Sequence, residues 1–204
     1  MLLIIFKIII VLIILFYGFY RFVFLRDPKR RIPKQGIISP ADGKIVKILK
    51  TGNNITVNKG LIGKINTITK DVAKTCHIIV IMMNIHNVHV QRSPIKGTIK
   101  QIKYSKGKFL NAVFGASSLK ALENEKNEII IENKNLKIKI IQVAGFVARR
   151  IKCYVKQNQK INKGERIGMI DLGSQVILVL PEKVKILVHE GEIVKAGMTI
   201  IANE

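Results

Sequence analysis

The chain reads SPADGKI from Ser39 to Ile45 and SPIKGTI from Ser93 to Ile99. The shared S-P-x-x-G-x-I describes a turn opened by a proline with preset backbone, a glycine free of a side chain, and the first apolar residue of a strand. A second echo pairs VKQNQKINKG (Val155–Gly164) with VHEGEIVKAG (Val188–Gly197), each a turn, an apolar residue and then a glycine. Two motifs that each occur twice predict repeated hairpin units inside one β domain.

The rest of the chain beyond residue 36 agrees. Short Ile/Val-rich runs, separated by Gly, Asn or Lys, predict strands at Lys44–Leu49, Asn54–Val57, His77–Met83, Thr98–Ile102 and Glu128–Ile131. They continue at Leu136–Val143, Ile151–Val155, Val176–Leu180, Val184–Val188 and Met198–Ile201, with one short helix at Ala116–Glu125. The expected fold is mainly β, of the barrel-sandwich type found in lipoyl and biotinyl domains. A length of 204 residues, 48% of them hydrophobic, is enough for one such domain with its own core and an appendage. Cys76 and Cys153 lie in apolar strand-like runs and read as buried thiols. No His, Cys, Asp or Glu spacing suggests a metal site.

The appendage is the N-terminus. Leu2 to Tyr20 is apolar except for Lys7, and Phe22–Leu25 extends the run past Arg21. About 20 such residues cross a bilayer, and a lysine near one end can reach the headgroups. No small-residue cleavage site follows, so the run reads as a retained anchor. RDPKRRIPK, Arg26 to Lys34, then places a basic block at the membrane surface. By the positive-inside rule the following domain stays on the cytoplasmic side of the inner cell membrane. The organisation is an anchor at residues 1–25, a basic linker at 26–36 and a domain at 37–204. The net charge of +22 calls for an anionic partner, and the anchor supplies one in the membrane surface. Nucleic acid is not expected, because the domain has no Trp and most of the eight Phe fall in the anchor, leaving no stacking face.

GERIGMIDLGSQVILVLPEK, Gly164 to Lys183, carries the chemistry. Gly168–Ile170 and Val176–Leu180 read as one extended, buried β segment closed by Pro181, interrupted at Gly173-Ser174. Glycine inside a strand marks a bulge or a close backbone approach. The serine beside it is a nucleophile in waiting. Of four histidines, His77 opens an apolar strand and His189 sits in a turn. His86 and His89 come as a pair in NIHNVHVQRSP, in a loop that could bring both rings to one cleft. With Asp42 in SPADGKI, a serine, a histidine base and an aspartate to orient it are all available. The G-x-S-x-G elbow and the α/β pattern of a hydrolase are missing, so such a set needs another use.

Taken in order, RDPKRRIP, SPADGKI, HNVHVQRSPIKG, ASSLKALENEKNE, AGFVARRIKCYV, KGERIGMIDLGSQVILVLP and GEIVKAGMTII span residues 26 to 201. This series resembles the phosphatidylserine decarboxylase proenzymes, in the short form of bacteria and archaea that includes archaetidylserine decarboxylases. The resemblance implies self-cleavage between Gly173 and Ser174 into a β chain, 1–173, and an α chain, 174–204, which stay together as a heterodimer; further oligomerisation is open. Ser174 would attack the Gly173 carbonyl and end as a covalent pyruvoyl cofactor that forms a Schiff base with the substrate amine. His89 would be the base for self-cleavage, Asp42 would orient it, and His86 would be the acid in decarboxylation. The substrate would be a serine phospholipid, ester- or ether-linked, and the product its ethanolamine counterpart and carbon dioxide. Two positions depart from the pattern: Lys126 where the family has Arg, and Gln175 where Arg or Thr is usual. Arg92, Arg149 and Arg150 are candidates for the lipid phosphate. The alternative is a membrane-anchored, lipoyl-like adaptor without activity, which leaves Gly173, Ser174, His86, His89 and Asp42 unemployed.

Overall fold

Both S-P-x-x-G-x-I segments fold alike in the computed structural model, which describes residues 1–51, 69–107, 124–145, 150–171 and 174–204. Ser39 Oγ donates to the Ala41 carbonyl at 2.7 Å, and Ser93 Oγ to the Ile95 carbonyl at 2.7 Å. The two turns clasp each other: Arg92 N donates to Pro40 O at 2.9 Å and Ile38 N to Pro94 O at 3.2 Å. The second echo joins at equivalent points, Gly197 N to Ser39 O at 2.9 Å and Gly164 N to Ser93 O at 2.8 Å. The repeat is therefore a pseudo-two-fold arrangement of backbone hydrogen bonds. Its motif glycine has a steric reason. A Cβ on Gly43 would lie 2.3 Å from the Met82 carbonyl oxygen, and one on Gly97 2.6 Å from that of Glu132.

Fourteen strands are described: β1 (Ile37–Ile38), β2 (Gly43–Lys50), β3 (Cys76–Met83), β4 (Val90–Arg92), β5 (Gly97–Ser105), β6 (Lys126–Glu132) and β7 (Lys137–Val143). They continue with β8 (Ile151–Cys153), β9 (Lys160–Ile161), β10 (Arg166–Ile170), β11 (Ser174–Pro181), β12 (Lys185–Ile186), β13 (Ile193–Val194) and β14 (Ile200–Asn203). The large sheet runs β13-β2-β3-β11-β7-β6-β5-β9, and two small ones run β1-β14-β12 and β4-β10-β8. All paired strands are antiparallel. The fold is mainly β, as expected.

Alternation sorts the core. Ile79, Ile81, Ile129, Ile131, Ile138, Ile140, Val176 and Leu178 point into the main core, and Ile78, Val80, Ile141, Ile177 and Val179 form a second cluster. β11 is buried at every position because β3 and β7 flank it and both of its faces are covered. Val72 and Ala73 help cover the second cluster. Buried Lys139 lies between Asp71 at 2.9 Å and Glu128 at 3.1 Å.

Two expectations need correction. Gly168–Ile170 and Val176–Leu180 do not form one segment: the first belongs to β10 in a small sheet and the second to β11 in the large one. The chain changes sheets between residues 171 and 174. Cys153 is exposed, since β8 is an edge strand, whereas Cys76 is buried. The linker is ion-paired to the domain. Asp27 takes Arg92 Nη2 at 2.5 Å and also pairs with Arg166, while Arg30 pairs with Asp42. Ile32 lies where a Cβ on Gly164 would sit. The strand expected at Asn54–Val57 lies outside the described residues, as does the helix expected at Ala116–Glu125 through residue 123. Asn124 makes an isolated β bridge.

The N-terminal run forms helix α1 (Leu2–Gly18), continued by a wider π-helical turn at Phe19–Phe24. Together they are apolar and long enough to cross a membrane, by length and composition. No residue of α1 is buried, but Phe24 is fully buried, and Phe19, Tyr20 and Leu25 pack with it on Val88, Val90 and Met169.

Candidate active site

Ser174 opens β11 opposite Met83 and is fully buried. Its hydroxyl has Met83 Sδ as partner at 3.5 Å, a weak acceptor that leaves the oxygen free for stronger chemistry. Gly173, its expected cleavage partner, lies outside the described residues. The strand before this corner, β10, ends by donating Ile170 N to the carbonyl of His89 at 3.3 Å. The end of β10, the start of β11 and the residue before β4 thus converge on one buried corner.

His89 is held there in a defined tautomer. Its Nδ1 lies 2.8 Å from the Asn87 carbonyl, which can only accept, so Nδ1 carries the proton and Nε2 presents a lone pair. That Nε2 is buried and has no hydrogen-bond partner among the described residues. Phe24 covers the ring, with centroids 4.2 Å apart and planes tilted by 39°. Burial pushes the His89 pKa down to about 4; the Arg26 charge acts in the same direction, and the Asn87 hydrogen bond and the Asp42 charge oppose it. A neutral imidazole with an unused lone pair in a dry site can act as a general base at neutral pH. An orphaned buried nitrogen costs stability, which favours a chemical reason for it.

Asp42 does not bond this ring. Its carboxylate accepts from Arg30 Nη2 at 3.1 and 2.9 Å and from the Ala196 amide at 2.7 Å. Asp42 reaches His89 through its charge, and the Asn87 carbonyl holds Nδ1. His86 is exposed in the turn before His89, its ring edge-on to Phe19 at 6.2 Å and its carbonyl accepting from Arg26. The two histidines therefore differ in setting: His89 faces the interior and His86 the rim, both beside the aromatic turn at 19–24. Sequence reasoning missed this roof, although Tyr20 and Phe24 are spaced to stack, as they do at 5.5 Å.

The other candidates are dispersed. Arg92 is buried, donating to Gly164 O at 2.9 Å and paired with Asp27, so it is a structural cation. Arg150 is exposed, and Arg149 lies outside the described residues. Lys126 opens β6, and Gln175 is buried in β11. A cavity of about 620 Å³ lies beside the linker, lined by Lys29, Arg30, Arg92, Tyr154, Glu165 and Arg166. Among the described residues no group of three or more His, Cys, Asp or Glu could hold a metal ion.

A family profile described as phosphatidylserine decarboxylase matches residues 19–202. The chain belongs to the phosphatidylserine decarboxylase family. It is 43% identical over 180 residues to the phosphatidylserine decarboxylase proenzyme of Chlorobium phaeobacteroides, covering 87% of this chain and 76% of that one. It is 42% identical over 183 residues to the proenzyme of the Wolbachia of Brugia malayi, covering 88% and 74%. The putative archaetidylserine decarboxylase proenzyme of Methanosarcina barkeri is 39% identical over 186 residues, covering 90% and 77%. A solved structure, glucose permease IIA from Mycoplasma capricolum, aligns with a TM-score of 0.41 at 13% identity over 82% of this chain and 93% of that one, which is too low to bear on fold or function. The family match begins at Phe19, so it takes in the aromatic turn over His89 and leaves out α1.

Proposed function

We propose that this phosphatidylserine decarboxylase family member is a self-processing, membrane-anchored enzyme that removes the carboxyl group of a serine phospholipid. The observation that carries the reading is the buried, unpartnered Nε2 of His89 at the corner where Ser174 begins β11. In self-cleavage His89 Nε2 takes the Ser174 hydroxyl proton as the oxygen attacks the Gly173 carbonyl carbon. The peptide C–N bond breaks, the nitrogen gains a proton, and an ester remains. Loss of the Ser174 Cα proton then expels residues 1–173 as a carboxylate and leaves a dehydroalanine. Water converts that residue to a pyruvoyl group and releases ammonia.

The residues present fit such a group. Its source is fully buried, and the new terminus would stay in place because β11 remains paired along its length with β3 and over Gln175–Val179 with β7. The pyruvoyl carbonyl supplies an electrophile for the substrate amine and a sink for the electron pair left when carbon dioxide departs. Asp42 stabilises the charged form of His89 through its field. His86, exposed at the rim, delivers the proton to the substrate carbon after decarboxylation. The anchor and the aromatic turn set both histidines against the membrane side of the domain, on the cytoplasmic face. Exposed Lys29, beside the linker cavity, stands ready for the lipid phosphate. The adaptor reading leaves the orphaned nitrogen of His89 without a role.

The test is release of carbon dioxide from vesicles containing phosphatidylserine, with Ser174→Ala as control and ether-linked serine lipid as a second substrate. Release by the parent and none by Ser174→Ala is expected. A chain that has cut itself yet releases nothing from either lipid would contradict the proposed reaction.

A further inference from the structure

Three amides cross the apolar interior and end at His89. Asn127 on β6, Gln142 on β7 and Gln91 on β4 are each at least 98% buried. Asn127 Nδ2 donates to Gln142 Oε1 at 2.8 Å, and Gln142 Nε2 donates to Gln91 Oε1 at 2.8 Å. Gln91 Nε2 donates to the His89 carbonyl at 2.7 Å and lies 3.7 Å from Met83 Sδ, the atom that partners the Ser174 hydroxyl at 3.5 Å. Every donor points the same way, toward His89. Buried amides are costly unless bonded, and apolar residues of similar shape would hold these strands together at least as well. Nor is the space incidental. A Cβ on Gly168 would lie 2.6 Å from Gln142 Nε2, so β10 gives way to the amide at that point.

We propose that Gln91, backed by Gln142 and Asn127, is a positioning residue that fixes the His89 backbone and Met83 so that the base and the Ser174 hydroxyl meet. This rests on the self-processing reading above. The ring of His89 is held by the Asn87 carbonyl, and its backbone by Ile170 N and Gln91. Only the last of these also touches the residue under Ser174. Gln91 is therefore the link between the two halves of the site.

The test uses the full chain and follows the conversion of intact precursor to fragments by mass. Gln91→Met removes the donor to His89 but leaves Gln142 short of an acceptor. The triple variant Gln91→Met/Gln142→Met/Asn127→Leu removes the whole series and leaves no orphan. Both are expected to cut more slowly by on the order of 10–100-fold, the scale of a small misplacement of reacting groups. The triple variant should melt at or above the parental temperature. A pH profile separates position from mere stability. The charges facing His89 are Arg26, which follows the aromatic turn, and Asp42, between β1 and β2. With these unchanged, parental cleavage should fall off only near pH 4, and the Gln91→Met limb should move toward 6.5 as the ring loosens into water. Cleavage by the triple variant at the parental rate with an unmoved profile overturns the inference. So does failure of the triple variant to fold, which would make the amides structural. A parent that never cuts would instead remove the reading on which the inference stands.

Discussion

Replacing Phe24 by Ala should change the chemistry of His89 without touching it. The Phe24 ring lies 4.2 Å from the imidazole, is fully buried, and belongs to the segment that leads out of the apolar helix α1. Burial is the foremost cause that brings the His89 pKa from 6.5 down to about 4. A shift of that size corresponds to about 3 kcal/mol of preference for the neutral ring. Removing the roof admits water on the face that Phe24 covers and leaves the other faces as they are. The expected rise is therefore about half of the shift, on the order of one pKa unit or more. The assay is an NMR titration of the four histidine rings in a Ser174→Ala background, which holds the chain uncut. Stability follows with a definite sign. Because the folded pKa is depressed, the His89 contribution is complete above 6.5 and is lost as pH falls toward 4. Phe24→Ala should narrow that window, and self-cleavage by the Phe24→Ala chain with its serine intact should slow near pH 5, where the parental ring is still mostly neutral. A His89 pKa that stays near 4 in the variant would refute the roof as the source of the dry site.

Other substitutions divide the site by stage. His89→Ala should give a single uncut chain, and Asp42→Ala should cut poorly because it removes the charge that favours the protonated form of His89, both read by intact mass. His86→Ala should mature normally and then turn over about 10²–10⁴-fold more slowly, the usual worth of a general acid; normal turnover would remove it from the mechanism. Deleting residues 2–18 should leave self-cleavage intact, since Phe24 remains, whereas deleting 1–25 should slow it, and equal rates would deny the aromatic turn a role. Lys139→Met leaves Glu128 and Asp71 without their buried cation and should destabilise the chain by about 3–5 kcal/mol in chemical denaturation.

The long strands were legible because alternation writes burial directly into sequence, and the repeated S-P-x-x-G-x-I translated into matching turns. Four of the six two- and three-residue strands, β1, β4, β9 and β13, were not, since so short a run has no period. Gly173-Ser174 read as a flaw inside one strand because both flanks are apolar and buried, and nothing local says that they join different sheets. Asp42 was paired with His89 on residue type and on the family resemblance; the competing cation, Arg30, comes from a linker read as a basic block at the membrane surface. Phe24 was hidden in the anchor because an aromatic facing lipid and one roofing a histidine have the same sequence signature. The amides on β4, β6 and β7 carry no local signal, and the packing shows them joined end to end.

Intact-mass analysis of the purified chain decides most. Self-processing at Ser174 requires two fragments, residues 1–173 and 174–204, in equal amounts. The smaller should be lighter than a serine-headed peptide by one ammonia and blocked to N-terminal sequencing. A catalytically active preparation containing only the uncut 204-residue chain would contradict the proposed chemistry at its root.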